Sequence, residues 1–201
     1  MTGDGTSIVA QIIVVAVAYL IGSIPTGLLL GKLYGIDVRK EGSGNIGATN
    51  LYRTVGRKVG IFTLIGDCLK GLLPVLIVKA STFPPELAAW VGLAAFCGHV
   101  FSLFLKFRGG KGVATALGVF LALAPVAVTI AIALFAVMMF VWRYVSLGSV
   151  SAAAVMPLAV YLLEKNWTVT LVAAIITIIV IARHHENLSR LLSGTESRFK
   201  A

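Results

Sequence analysis

Residues 113–142 contain no charged side chain, and that stretch limits the possible folds more than any other. A soluble domain has no place for so long an apolar run, whereas a bilayer takes about 20 apolar residues for each helical crossing. Similar runs flank it at residues 7–31, 59–80, 86–105, 147–163 and 167–182. Composition agrees: 58% of residues are hydrophobic and 12% charged, against roughly 25% charged in soluble domains. Mean hydropathy is +0.97. The spacing predicts an all-α, polytopic membrane protein.

Charge parity settles how often the long run crosses. Pro125 divides it, and a turn there makes two crossings of one. All the Lys and Arg residues except Lys70, Lys79 and Lys165 then fall on one side, which the positive-inside rule assigns to the cytoplasm. The prediction is seven transmembrane helices, one of them short (113–124), with the N-terminus outside and the C-terminus cytoplasmic. So short a helix is tolerable only where its N-terminal end opens into a wet, protein-lined cavity. Residues 1–6 carry Asp4 but no basic residue, and the run at 7–31 exceeds the roughly 7–15 residues of a secretory signal, so it reads as a retained span. Gly22, Pro25 and Gly27 predict a bend within it.

The net charge of +9 does not point to nucleic acid, because the cations lie at the margins of apolar runs. Cys68 and Cys97 sit inside such runs and read as inert thiols. Trp90, Trp142 and Trp167 fall at expected membrane interfaces. In the tail, Leu188, Leu191 and Leu192 are at helical spacing, predicting a short helix on the cytoplasmic face that Gly194 stops. With no repeat or linker, residues 1–201 read as a single domain.

Polar sequence is concentrated in three stretches on the predicted cytoplasmic side. Residues 41–53 read E-G-S-G-N-I-G-A-T-N-L-Y-R, in which Gly42, Gly44 and Gly47 can turn backbone N–H groups toward one point ahead of a helix. Residues 108–115, R-G-G-K-G-V-A-T, repeat the arrangement with Lys111 among Gly109, Gly110 and Gly112. Tight turns alone also produce glycine-rich loops, but Arg53 and Lys111 add the fork and the point charge that suit phosphate oxygens. The third stretch is R-H-H-E-N at 183–187, where His184 and Asn187 share a helical face and Glu186 is adjacent. Within the second span, Asp67 and Lys70 lie three residues apart on one face, placed either as a buried ion pair that holds the bundle together or as support for the glycine loops from beneath. His99, near a span end, reads as an interface residue.

Several chemistries are excluded. Gly42-x-Gly44-x-x-Gly47 fits a dinucleotide fingerprint only in letters, since a membrane span precedes it rather than a strand. The Walker A pattern fails at Leu105 and Gly112. Adjacent His184 and His185 point about 100° apart on a helix, poor geometry for a metal. No metal and no cofactor is expected. None of His99, His184 or His185 has an Asp five residues on, so the charge-relay pair of H-x-x-x-x-D acyltransferases is missing.

Three motifs in order, G-S-G-N-I-G-A-T-N with Arg53, G-G-K-G-V-A-T, and H-H-E-N followed by R-L-L-S-G-T-E, resemble the bacterial integral-membrane acyl-phosphate:glycerol-3-phosphate acyltransferases over nearly the whole chain. D-C-L-K-G at 67–71 and R-Y-V-S at 143–146 are similar too. The resemblance implies a seven-span fold in the bacterial inner membrane. It also implies acyl transfer from acyl phosphate to the 1-position of glycerol 3-phosphate, giving lysophosphatidate and inorganic phosphate, with neither acyl-CoA nor acyl-carrier protein as donor. Carried over by position, Ser43, Arg53, Lys111, His184 and Asn187 become the catalytic set. Gly42, Gly44, Asn45, Gly47, Thr49, Gly109, Gly110, Gly112 and Ser149 become phosphate-binding, and Asp67, Lys70 and Glu186 supporting. The implied partners are the two substrates and membrane lipid. The chain departs from the family at His185, where many relatives carry arginine.

Acyl phosphate is already activated, so an enzyme using it needs no nucleophile of its own, only two phosphates held close together. Either His184 or a substrate phosphate, with a second pKa of roughly 6, can take the hydroxyl proton. The alternative is a membrane transporter of a small organic phosphate, which would use the same anion-binding loops but make no lysophosphatidate.

Overall fold

The computed structural model describes residues 7–199. The polar start with Asp4, expected outside the membrane, and the tail residue Lys200 lie outside the described residues. Ten α-helices make up the described chain: α1 (Ile8–Ser23), α2 (Thr26–Leu33), α3 (Ala48–Thr54), α4 (Arg57–Lys79), α5 (Leu87–Val100), α6 (Val113–Leu123), α7 (Pro125–Trp142), α8 (Val145–Glu164), α9 (Trp167–Arg183) and α10 (His185–Leu192). Short 3-10 turns stand at Val38–Lys40 and Leu103–Leu105, and there is no strand among the described residues.

Among the described residues, five helical stretches are long and apolar enough to cross a membrane: Ile8–Leu33, Arg57–Lys79, Leu87–Leu105, Pro125–Trp142 and Val145–Glu164. The bent pair α9 and α10, 57° apart, makes a sixth if counted as one span. The short helix expected at 113–124 is α6, only 11 residues long. The bend expected in the first span is a break at Ile24 and Pro25 that separates α1 from α2. Pro125, which has no N–H to lose, opens α7 at its first position.

The chain divides into two compact units, Met1–Leu123 and Ala124–Ala201. In the first, α1 packs on α5, while α4 is flanked by α3, α5 and α6. Apolar burial cannot drive helices together in lipid, so close backbone approach and polar stitches do it. A Cβ on Gly22 would strike the Ala95 carbonyl, and one on Gly98 the Tyr19 carbonyl, so α1 and α5 touch main chain to main chain. Ser102 Oγ donates to Ser23 O at 2.6 Å and Tyr19 OH to Phe101 O at 2.6 Å, tying the ends of both helices. Lys79 Nζ donates to Ala122 O at 2.7 Å, capping one of the carbonyls that the end of α6 leaves open.

The second unit stacks α7 on α8 and α8 on α9, with α10 against both α8 and α9. Thr177 Oγ1 of α9 donates to Ala153 O of α8 at 2.7 Å. Large apolar side chains such as Phe140, 88% exposed, and Ile178 project outward, as a lipid-facing surface requires.

The expected Asp67–Lys70 pair is present: Lys70 Nζ lies 2.8 Å from Asp67 Oδ1 with both side chains buried. Removing one partner of such a pair costs about 3–5 kcal/mol, because the other is left charged and dry. His99 overturns its sequence reading as an interface residue, being 4% exposed with Nδ1 3.6 Å from Asp67 Oδ1. Both thiols are free.

Candidate functional site

The first glycine loop is built around one side chain. Asn50, in the first turn of α3, donates through Nδ2 to the carbonyls of Val38 (3.2 Å), Glu41 (3.0 Å) and Asn45 (2.8 Å). Its Oδ1 accepts from Ser43 N at 3.0 Å. Asn45 Oδ1 accepts from Gly47 N at 2.8 Å, and Gly44 N donates to Glu41 O at 2.9 Å. Several N–H groups expected to aim at a ligand are thus used in holding the loop. The glycines serve its shape: Gly42 has φ 57°, and a Cβ there would strike Asn50 Oδ1. Ser43 and Arg53 project from this frame exposed, with Asn45 and Thr49 half-buried.

An apolar cluster of Leu28, Val38, Ile46, Leu51, Val59 and Leu105 forms the floor beneath. Leu105 belongs to the 3-10 turn that leads into the second glycine loop, so both glycine loops rise from one end of the first unit. Lys106 and Phe107 take left-handed backbone angles, φ 52° and 63°. The chain then folds back on α5, Gly109 N donating to Val100 O (3.1 Å) and Gly110 N to His99 O (3.2 Å). Lys111 is half-buried on this loop, ahead of α6. Thr115 Oγ1, fully buried on the first turn of α6, has no hydrogen-bond partner among the described residues.

In the second unit the chemistry gathers where α9 gives way to α10. His184 ends α9, 3% exposed, with Nδ1 2.7 Å from Val180 O. A carbonyl accepts only, so Nδ1 carries the proton, and in the neutral form of the ring Nε2 is the base or acceptor. Asn187, also buried, donates from Nδ2 to Glu196 Oε1 at 2.6 Å, which fixes its amide orientation.

Glu196 was not singled out in the sequence, although R-L-L-S-G-T-E contains it. Its Oε1 also accepts from Ser146 Oγ (2.7 Å), and its Oε2 from Arg190 Nε (2.7 Å). Gly194, at φ 71°, turns the chain back after α10 and delivers this carboxylate. Burial alone would raise its pKa, but the hydrogen bonds from Ser146, Asn187 and Arg190 outweigh that and hold it below the ordinary value. The only sequence signal was a glycine stop followed by an acid.

Ser149 Oγ donates to Val145 O within α8 at 2.8 Å. Glu186 is exposed, 3.9 Å from Arg190 Nη1, a weak surface pair. His185 is exposed too, with Nδ1 3.0 Å from Ala182 O. On the first loop, Arg39 lies 2.6 Å from Asp37 Oδ2, and its guanidinium holds the Asp37 carboxyl well below the usual range.

Apolar helices of this number, with polar glycine-bearing loops at one end of the first unit and a buried histidine and asparagine on the second, define an all-helical integral membrane protein. Comparison with known sequences makes that class specific: residues 12–194 match the family described as glycerol-3-phosphate acyltransferase, and the chain belongs to it. It is 67% identical over 187 residues to the glycerol-3-phosphate acyltransferase of Trichlorobacter lovleyi, covering 93% of this chain and 96% of that protein. It is 57% identical over 191 residues to the one of Geobacter sulfurreducens, covering 95% and 98%. Among solved structures, it matches PlsY, an integral membrane glycerol 3-phosphate acyltransferase crystallised in its glycerol 3-phosphate form. The TM-score is 0.90 at 40% identity, over 95% of this chain and 96% of that one. The lysophosphatidic acid form of PlsY matches with a TM-score of 0.88.

Proposed function

We propose that this chain moves a fatty acyl group from acyl phosphate to the 1-hydroxyl of glycerol 3-phosphate, releasing lysophosphatidate and inorganic phosphate. The observation that carries the reading is the state of the α8 hydroxyls, Ser146 and Ser149. Ser146 donates to Glu196, and Ser149 donates to a carbonyl of its own helix, rather than to a basic ring. A site organised this way favours a donor that arrives activated. The solved relative's glycerol 3-phosphate and lysophosphatidic acid forms supply the matching acceptor and product.

In the step, the 1-oxygen forms a bond to the acyl carbon, the acyl carbon–phosphate oxygen bond breaks, and the electron pair leaves on phosphate. The hydroxyl proton goes to His184 Nε2 or to a substrate phosphate. Each phosphate carries about −2 near neutrality, and in the first unit Arg53 and Lys111, with Ser43, Asn45, Thr49 and the two glycine loops, hold that charge. In the second unit Asn187 and Ser149 orient the substrate, with Glu186 supporting from the surface. Asp67 and Lys70 support the loops of the first unit.

The same reading places seven spans in the bacterial cytoplasmic membrane, α6 and α9 among them. The N-terminus is outside, and the polar loops face the cytoplasm. The distribution of lysine and arginine supports that orientation. The whole chain acts as one catalytic domain, in line with a family match that runs through both units.

Purified protein in detergent, given acyl phosphate and glycerol 3-phosphate, should release lysophosphatidate and inorganic phosphate one for one. Product from acyl-CoA or acyl-carrier protein instead would overturn the donor, and no product with any donor would favour a transporter.

A further inference from the structure

We propose that His99, held from behind by Asp67 and Lys70, is a positioning residue for Lys111, the last turn of α5 being the template on which the second glycine loop is shaped. The inference rests on the reading that this loop grips a substrate phosphate.

Two of the loop's main-chain bonds, Gly109 N to Val100 O and Gly110 N to His99 O, end on α5. Each glycine lies where a side chain on it would meet α5. A Cβ on Gly109 would strike His99 O, one on Gly110 would strike His99 Nε2, and one on Gly112 would strike the Phe96 ring. The His99 ring therefore fixes how closely Gly110, the residue before Lys111, approaches the helix.

The ring itself is held by a chain of polar contacts. Nδ1 is on the Asp67 side, 3.6 Å from Oδ1, which turns Nε2 toward the loop. Lys70 Nζ, 2.8 Å from the same carboxylate oxygen, also donates to Ile24 O at 2.8 Å. Ile24 stands at the break between α1 and α2, where the proline that follows leaves the backbone without a normal helical partner. A continuous path thus runs from the break in the first span, through Lys70, Asp67 and His99, to Gly110 and Lys111. Charged groups within membrane helices are expensive, and apolar side chains fill such space as well. Packing alone gives no reason to put an acid, a base and an imidazole in line behind one glycine.

The test is a double-mutant cycle on the full-length protein in detergent, with kcat and the KM of each substrate measured for Gly110→Ala, His99→Ala and the two combined. Gly110→Ala alone should raise the KM of one phosphate substrate by about tenfold or more, because its methyl pushes the loop off α5. In the double variant the methyl enters the space the ring has left, so KM should return to within about threefold of His99→Ala alone. Effects that simply multiply would overturn the proposal.

If His99→Ala does not yield a monodisperse protein, Asp67→Asn and His99→Gln replace it. Asp67→Asn should raise the same KM several-fold and leave the other substrate's unchanged, while equal changes in both would count against positioning. Failure of the underlying reading looks different, since wild-type protein would then make no lysophosphatidate at all. In that case, the Kd of glycerol 3-phosphate, from calorimetry on the same variants, reads the coupling. A non-multiplicative cycle upholds the template and a multiplicative one ends it.

Discussion

The two glycine loops of the first unit look alike in sequence and are held in opposite ways. The loop at residues 41–47 is closed from within, one buried amide, Asn50, bonding three carbonyls and an N–H. The loop at residues 108–112 is laid against its neighbours, Gly109 and Gly110 donating to the carbonyls of Val100 and His99, and Arg108 to that of Leu105. A self-closed loop tolerates change in its neighbours, whereas a templated loop transmits it. The second unit repeats the first design with an acid, Glu196 joining Ser146, Asn187 and Arg190.

Substitutions can sharpen that contrast. The largest effect should come from Lys111→Ala, which removes charge from the templated loop and leaves the main-chain bonds of Gly109 and Gly110 to α5 in place. Turnover should fall about 10²-fold or more, with thermal stability unchanged. Loss of stability together with activity would mean that the lysine holds the loop rather than the substrate. Asn50→Ala should do the reverse, stranding buried carbonyls at about 3 kcal/mol and opening the first loop to protease before the second.

Glu196→Gln is next, at about 2 kcal/mol. The sign with pH is fixed by the direction of its shift. The folded carboxyl titrates below its ordinary value of 4.5, so its contribution is complete above that pH and is lost as pH falls through the lower folded value. The glutamine variant should lack that acid-side loss in a thermal-melt series; an unchanged series would remove the carboxylate from the account. The smallest effect belongs to Asp37→Asn. Its ion pair with Arg39 is at the surface, and melting in high and low salt should show no measurable difference from the parent.

The helices were legible in the sequence because lipid imposes one rule on every residue of a span. The break at Pro25, the short α6 and the start of α7 at Pro125 follow from the same rule. The residue types of the loops were legible too, since glycine with a fixed cation is a local signature. The partners were not. Asn50 could be seen as a small polar residue, but its four bonds depend on where Val38 and Glu41 return in space. Glu196 acts through Asn187, nine positions earlier, only because Gly194 reverses the chain. His99 was misread because a histidine near a span end gives no sign of which residue on α4 faces it.

α6 has a consequence for the surrounding lipid. At 11 residues it reaches about 16 Å, roughly half the thickness of a hydrocarbon slab of about 30 Å, and Lys79 seals its far end against Ala122. On the seven-span reading, a bilayer meeting the exposed edge of α6 at Leu121 must pinch inward or let water stand beside the helix. The tail length of the host lipids therefore becomes a variable of the protein itself, and reconstitution in short-chain and long-chain bilayers should not give interchangeable preparations.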